Sequence, residues 1–332
     1  MKQLRSQAGF TLVELMVALV LGLLIVAAAV QLYITGISSY RMQEAMGDIQ
    51  DNAGFGVNYV LADIRQANLD TATEAIHDQT PYSGLILTQA NVGDKINLNC
   101  AACLSADKIT TLGEANVVDQ LNSQLLVRFR AVKDGYDCSG TTLTQGSYVV
   151  QRYFVGSTTT DPRLSLRCEA AQYTQADLDG LQGSNKHNLL WRSSSVILPN
   201  VDYFYVRVGY AQGSLESPSS IAYGSLQDYL ALTPVQRNID GLQHSSRPYI
   251  HAVQIGLLLN SNQSAGLDQN LKERNARAFQ VLNQEVQLKT AAQNTHFRQV
   301  VNQTITLRNA LGWVEEGCRA GTTGCNIQGA GS

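Results

Sequence analysis

Glu14 is the single charged residue in the run FTLVELMVALVLGLLIVAAAVQLYI, Phe10 to Ile34. A carboxylate in an apolar span costs on the order of 2.5–3.5 kcal/mol at mid-membrane, and less near an end. An acid in such a place is by default a functional residue that calls for a cation. A cut between Gly9 and Phe10 would create one, because the new α-amino group of Phe10 would lie one helical turn from Glu14. The two could pair within one helix. In a packed array of helices, Glu14 of one subunit could instead take the amine of its neighbour. That second arrangement would relieve two buried charges and set axial register, as one buried polar residue does in a coiled coil.

The other candidate chemistry is weaker. Six cysteines stand at 100, 103, 138, 168, 318 and 325. Cys100-Ala-Ala-Cys103 could be half of a zinc site, but the next cysteines are single and offer no second pair. A redox motif should open a helix beside a βαβ unit, and INLNCAACLSADKI shows none. Structural bridges suit the even number and an oxidising compartment. Nearest-neighbour pairing predicts Cys100–Cys103, Cys138–Cys168 and Cys318–Cys325, the last closing over RAGTTG. An exchange of the tight first pair with Cys138 or Cys168 stays open. Each bridge stabilises by about 2–4 kcal/mol.

The five histidines at 77, 187, 244, 251 and 296 show no HExxH and no close pairing, so no metal site is expected. There is no G-x-S-x-G, P-loop or dinucleotide fingerprint, and neither an enzyme nor a cofactor is expected. Charged residues make up 15% and the formal net charge is −3, which argues against nucleic acid, since that partner needs a basic face. Tyr203 and Tyr205 share one β-rich run. They could form an adhesive row, although a half-buried strand explains them more simply.

The apolar run would be roughly 37 Å long as a helix, against a bilayer core of about 30 Å. Lys2 and Arg5 precede it without an acid, which favours an N-in orientation with the remainder exported. A secretory signal peptide cut at Ala27-Ala28-Ala29 and a plain anchor are the ordinary readings. Neither gains anything from Glu14. No proline occurs before Pro81, and from Tyr40 to about Leu69 the residues Met42, Met46, Ile49, Ala53, Val57, Val60 and Ile64 recur every three or four positions. That predicts an amphipathic half continuing the membrane half, giving one helix of about 60 residues, or roughly 90 Å. Gly22, Gly36, Gly47, Gly54 and Gly56 each weaken it by about 1 kcal/mol relative to Ala.

Beyond residue 70 the chain reads as β-rich. Strands are expected at Leu125–Val132, Ser147–Val155, Val201–Tyr210, Ile250–Leu259 and Thr304–Leu307. Polar linkers are expected at Gly156–Pro162, Gly180–Asn188 and Ala211–Ser220, and a surface insertion at Pro234–Pro248. Ala276–Leu288 fits helix or strand. The expected fold class is α+β: the long helix laid on one antiparallel sheet with large insertions.

Gly9-Phe10-Thr11-Leu12-Val13-Glu14, after a basic leader and before an apolar run, resembles the class III signal of type IV prepilins. The resemblance implies that a prepilin peptidase cuts after Gly9, that Phe10 becomes the N-methylated terminus, and that Glu14 serves subunit docking. It divides the chain into a leader (1–9), a membrane and assembly helix (10–34), the amphipathic half of the pilin helix (35–69) and a globular head (70–332). Loss of the leader's two cations takes the net charge from −3 to −5. The stretch HFRQVVNQTITLRNALGW, His296 to Trp313 with its Arg308-Asn309 pair, is similar to the end of PilW-type minor pilins. So are Leu125–Phe129 and the run VQIGLLLNS. That likeness implies a minor pilin that primes type IV pilus assembly near the tip and supports twitching. The implied location is the inner membrane with the head periplasmic, then the pilus at the cell surface. The implied partners are the prepilin peptidase, other minor pilins, the major pilin, the inner-membrane platform and, before assembly, membrane lipid. Many filament pilins carry a proline in the protruding half, and this chain has none there. A type II secretion pseudopilin and a tip adhesin are the alternatives.

Overall fold

The computed structural model describes residues 9–71, 75–100, 117–159, 162–214, 217–239, 242–265, 269–289 and 295–310. One helix, α1, runs without a break from Leu12 to Gln66, 55 residues. Its early glycines do not interrupt it. Gly22, Gly36, Gly47 and Gly54 all face open space. Gly56 differs. A Cβ there would lie 2.8 Å from the Ile197 carbonyl oxygen, so the missing side chain lets the helix approach the sheet backbone.

The head holds two four-stranded antiparallel sheets, where the sequence predicts one. The first contains β1 (Gln124–Arg130), β2 (Tyr148–Gly156), β3 (Ser165–Tyr173) and β4 (Ser195–Pro199), in that order. The second contains β5 (Val201–Ser214), β6 (Ser217–Ser225), β7 (Ile250–Ser264) and β8 (His296–Thr306), in the order β6-β5-β7-β8. The chain passes between sheets at one residue, Asn200, whose φ of 56° turns β4 directly into β5. Asparagine is among the few side chains that tolerate this left-handed conformation.

β3 and β4 have no counterpart among the expected strands. SLRCEAAQY has no β-branched residue and carries two Ala, a Glu and a Gln, so its strand state comes from pairing with β2 on one side and β4 on the other. Ala211–Ser220, expected as a linker, is the meeting of β5 and β6. Its polar residues and Pro218 are tolerated because β6 is an edge strand, with its register shift at Pro218. Ala276–Leu288 resolves as a hairpin, Phe279–Val281 with Gln284–Val286. A second hairpin, Val235–Ile239 with Leu242–Ser246, occupies the Pro234–Pro248 insertion.

The C-terminal half of α1 lies across both sheets. Ile49, Val57, Val60, Leu61 and Ile64 pack with Leu125, Val127 and Val155 of the first sheet and Phe204, Val253, Ile255 and Ile305 of the second. Met46, expected on the buried stripe, is exposed, and Ala45 is buried in its place. Cys138 and Cys168 are joined by a disulfide with Cα atoms 5.9 Å apart. Cys100 is also disulfide-bonded. The expected pairings with Cys103 and between Cys318 and Cys325 lie outside the described residues.

Two polar contacts lock the helix to the head. At its end, the Asn309 side-chain amide donates to the carbonyls of Arg65 (3.0 Å) and Ala67 (3.2 Å), and the Asn68 side-chain amide donates to the Asn309 carbonyl at 3.0 Å. The two Asn309 donations satisfy last-turn carbonyls that a helix cannot satisfy itself. One turn earlier, buried Asp63 accepts a hydrogen bond from the Tyr153 hydroxyl of β2. With its amide turned to satisfy both neighbours, Gln151 donates to Asp63 at 2.8 Å and accepts from the Cys138 N–H at 3.0 Å. Burial pushes the Asp63 carboxyl up to about 6 against the opposing pull of the Tyr153 hydrogen bond, and Asp137 adds to the rise.

An acid whose folded value is raised adds its full stability below the unfolded value, and loses it as pH rises through the folded one. Wild type should therefore lose stability at this site between about pH 4 and pH 6. Asp63→Asn keeps both hydrogen bonds without the charge. In denaturant titrations it should exceed wild type at pH 7 by up to about 3 kcal/mol, and match it below about pH 4.

Candidate functional site

The processing and docking residues sit at the start of α1. Thr11 is the N-cap, with φ −77° and ψ 149°. Its backbone N–H and its hydroxyl both donate to Glu14 Oε2 at 3.0 Å, and its hydroxyl oxygen accepts from the Glu14 N–H at 3.3 Å. This is a complete capping box, in which cap and third helical residue satisfy each other's free donors. The structure thus brings Glu14 to Thr11, a residue with no role in the sequence reading. The signal was legible as Thr-x-x-Glu just before an apolar run. Glu14 Oε1 takes no hydrogen bond among the described residues. The carboxylate is therefore anchored by one oxygen and open at the other. It also sits at the positive end of the helix dipole, which favours an anion.

Gly9 and Phe10 lie immediately before this cap, and Phe10 is 88% exposed. Every residue from Leu12 to Ile34 is exposed, apolar side chains included, and the first buried position of α1 is Ala45. The apolar half projects from the head as a bare rod. Among the described residues this is one helix long and apolar enough to cross a membrane. The Cys138–Cys168 bridge lies in the head core. No group of three or more His, Cys, Asp or Glu among the described residues could hold a metal ion.

Residues 4–30 match the family described as Prokaryotic N-terminal methylation motif. This is the type IV pilin-like prepilin signal, and it marks the chain as pilin-like or pseudopilin-like at its N-terminus. No curated protein and no solved structure matches the chain. The signal implies processing by prepilin peptidase and assembly with pilins.

Removing the cap should loosen the first turn without breaking the helix. Thr11→Ala costs about 1 kcal/mol of local stability, a roughly five-fold rise in opening of the first turn. Hydrogen exchange of the Glu14 and Leu15 amides in detergent micelles would register it, while amides beyond Leu19 should be unchanged.

Proposed function

We propose that this chain is a minor pilin of the PilW type, which takes part in priming type IV pilus assembly and belongs to a tip complex. The supporting observation is Glu14, fixed by Thr11 through one oxygen and open at the other, on an apolar rod locked at its far end into the head. The prepilin sits in the inner membrane with its head in the periplasm, and its lipid contacts are replaced by neighbouring helices as it assembles. A prepilin peptidase cuts after Gly9 and methylates the Phe10 amine. The open oxygen of Glu14 then accepts the N-terminal ammonium of an adjacent subunit. Other minor pilins, the major pilin and the inner-membrane platform are its partners, and the pilus at the cell surface is its destination. The role is structural, with no chemistry beyond processing. Cys100–Cys103 and Cys318–Cys325 are the proposed remaining bridges, which would harden the head outside the cell.

The pseudopilin reading shares this N-terminus and mechanism. Phenotype separates them: deletion should abolish piliation and twitching while exoprotein secretion continues. Mass spectrometry of the N-terminal peptide from native membranes should find methylated Phe10 as the first residue. Glu14→Val should still be processed but be absent from sheared filaments, reduced at least ten-fold against wild type. A chain starting near Val30, or still at Met1, would overturn the reading.

A further inference from the structure

Beside β5 of the second sheet, a cleft of about 500 Å³ opens between that strand, the hairpin turn at 282–283 and the segment 119–123. Its walls include Tyr203, Tyr205, Asp119, Asp228, Asn283 and Gln284, and no lysine or arginine lines it. The two tyrosine rings are stacked, with centroids 6.1 Å apart, and they pack against Val118, Leu258 and Phe279. Tyr203 is 98% buried as a residue and lines the cleft, and neither phenol makes a hydrogen bond to the described residues, so each hydroxyl is left to solvent or a ligand. Burial holds both phenols above their ordinary titration range, so each keeps its proton to donate.

The two carboxylates are pre-set in a similar way. Asp119 Oδ1 accepts from the Gln287 N–H at 2.8 Å, and Asp228 Oδ2 accepts from the Ser225 N–H at 2.9 Å and the Ser225 hydroxyl at 2.8 Å. Asp119 Oδ2 and Asp228 Oδ1 carry no hydrogen bond among the described residues. Asn283 and Gln284 add two amide side chains with no bonds of their own there. Exposed Leu121 and the largely buried Val206 and Leu226 add apolar lining.

We infer that this cleft binds a neutral saccharide. Two half-free carboxylates with no cation among them repel an anion. A fixed array of acceptors, amides and phenolic donors, with apolar lining beside it, matches a ligand that carries many hydroxyls on a C–H framework. The volume fits one or two sugar rings within the usual range of small-molecule sites. The inference is independent of the pilus reading, since it rests on the head alone.

The test uses the full chain in detergent on an array of neutral, sialylated and sulfated glycans, with saturation-transfer NMR on the best neutral disaccharide. Neutral glycans should be retained selectively. Tyr203→Phe deletes one oxygen that bonds nothing in the protein, so the fold is kept. It should weaken binding about ten-fold at an unchanged melting temperature, and Asp119→Asn should do the same. The inference is overturned by any of three results: no neutral glycan bound at millimolar concentration, retention of acidic glycans or oligolysine only, or neutral binding undiminished in both variants.

Discussion

A single helix here has to satisfy two solvents, and the rest of the structure follows from how it does so. The first half of α1 is apolar almost all round and stays exposed among the described residues. The second half buries one stripe under two sheets. Any axial force on the apolar half reaches the head only through that second half. Its end is therefore secured by more than packing. Asn309 holds the last carbonyls and is itself held by Asn68, and Asp63 is tied to Tyr153 and Gln151 one turn earlier. A helix seated by hydrophobic contact alone could slide by a turn. Directional bonds to its terminal carbonyls fix where it stops.

The head uses its few charges in an unusual place. Arg128, Arg152, Arg167, Arg298, Asp63, Asp78, Asp137 and Asp202 are all buried. Several act as ties between distant segments. Arg298 on β8 donates to Asp202 on β5 at 2.6 Å, across the intervening β7, while Asn260 of β7 donates to the other Asp202 oxygen at 2.7 Å. One carboxylate thereby joins three strands of the second sheet. Arg152 on β2 likewise meets Glu169 on β3 at 2.7 Å. Pairs of this kind add little net stability against apolar replacements, but breaking one side leaves a buried charge and is costly. Arg128 is the extreme case. Its guanidinium is fully buried, donates to the Val92 carbonyl at 2.9 Å, lies over the Tyr82 ring, and leaves two nitrogens without partners.

The stretch from His296 to Trp313 gains a physical meaning from this arrangement. The sequence marks it by resemblance alone, through its arginine and its Arg308-Asn309 pair. In the structure Arg298 ties β8 to β5, and Asn309 caps α1. The last strand thus closes the sheet and the helix together. Deleting either contact would weaken the link between the assembly rod and the head.

What the sequence alone determines is what neighbouring residues encode. The apolar run, its single acid, the capping pair of Thr11 and Glu14, and the switch from an all-round apolar surface to a stripe are all written within a turn or two. Four strands and the end of a fifth, β8, are legible for the same reason, since β-branched and aromatic runs mark them locally. Tertiary structure decided the division into two sheets, the strand state of β3, the raised carboxyl of Asp63 and the capping role of Asn309. Each depends on a partner far away in the chain: Asn68 and Asn309 are 241 residues apart. Periodicity and composition report on the next few residues, whereas a buried polar group takes its role from whatever the fold places against it.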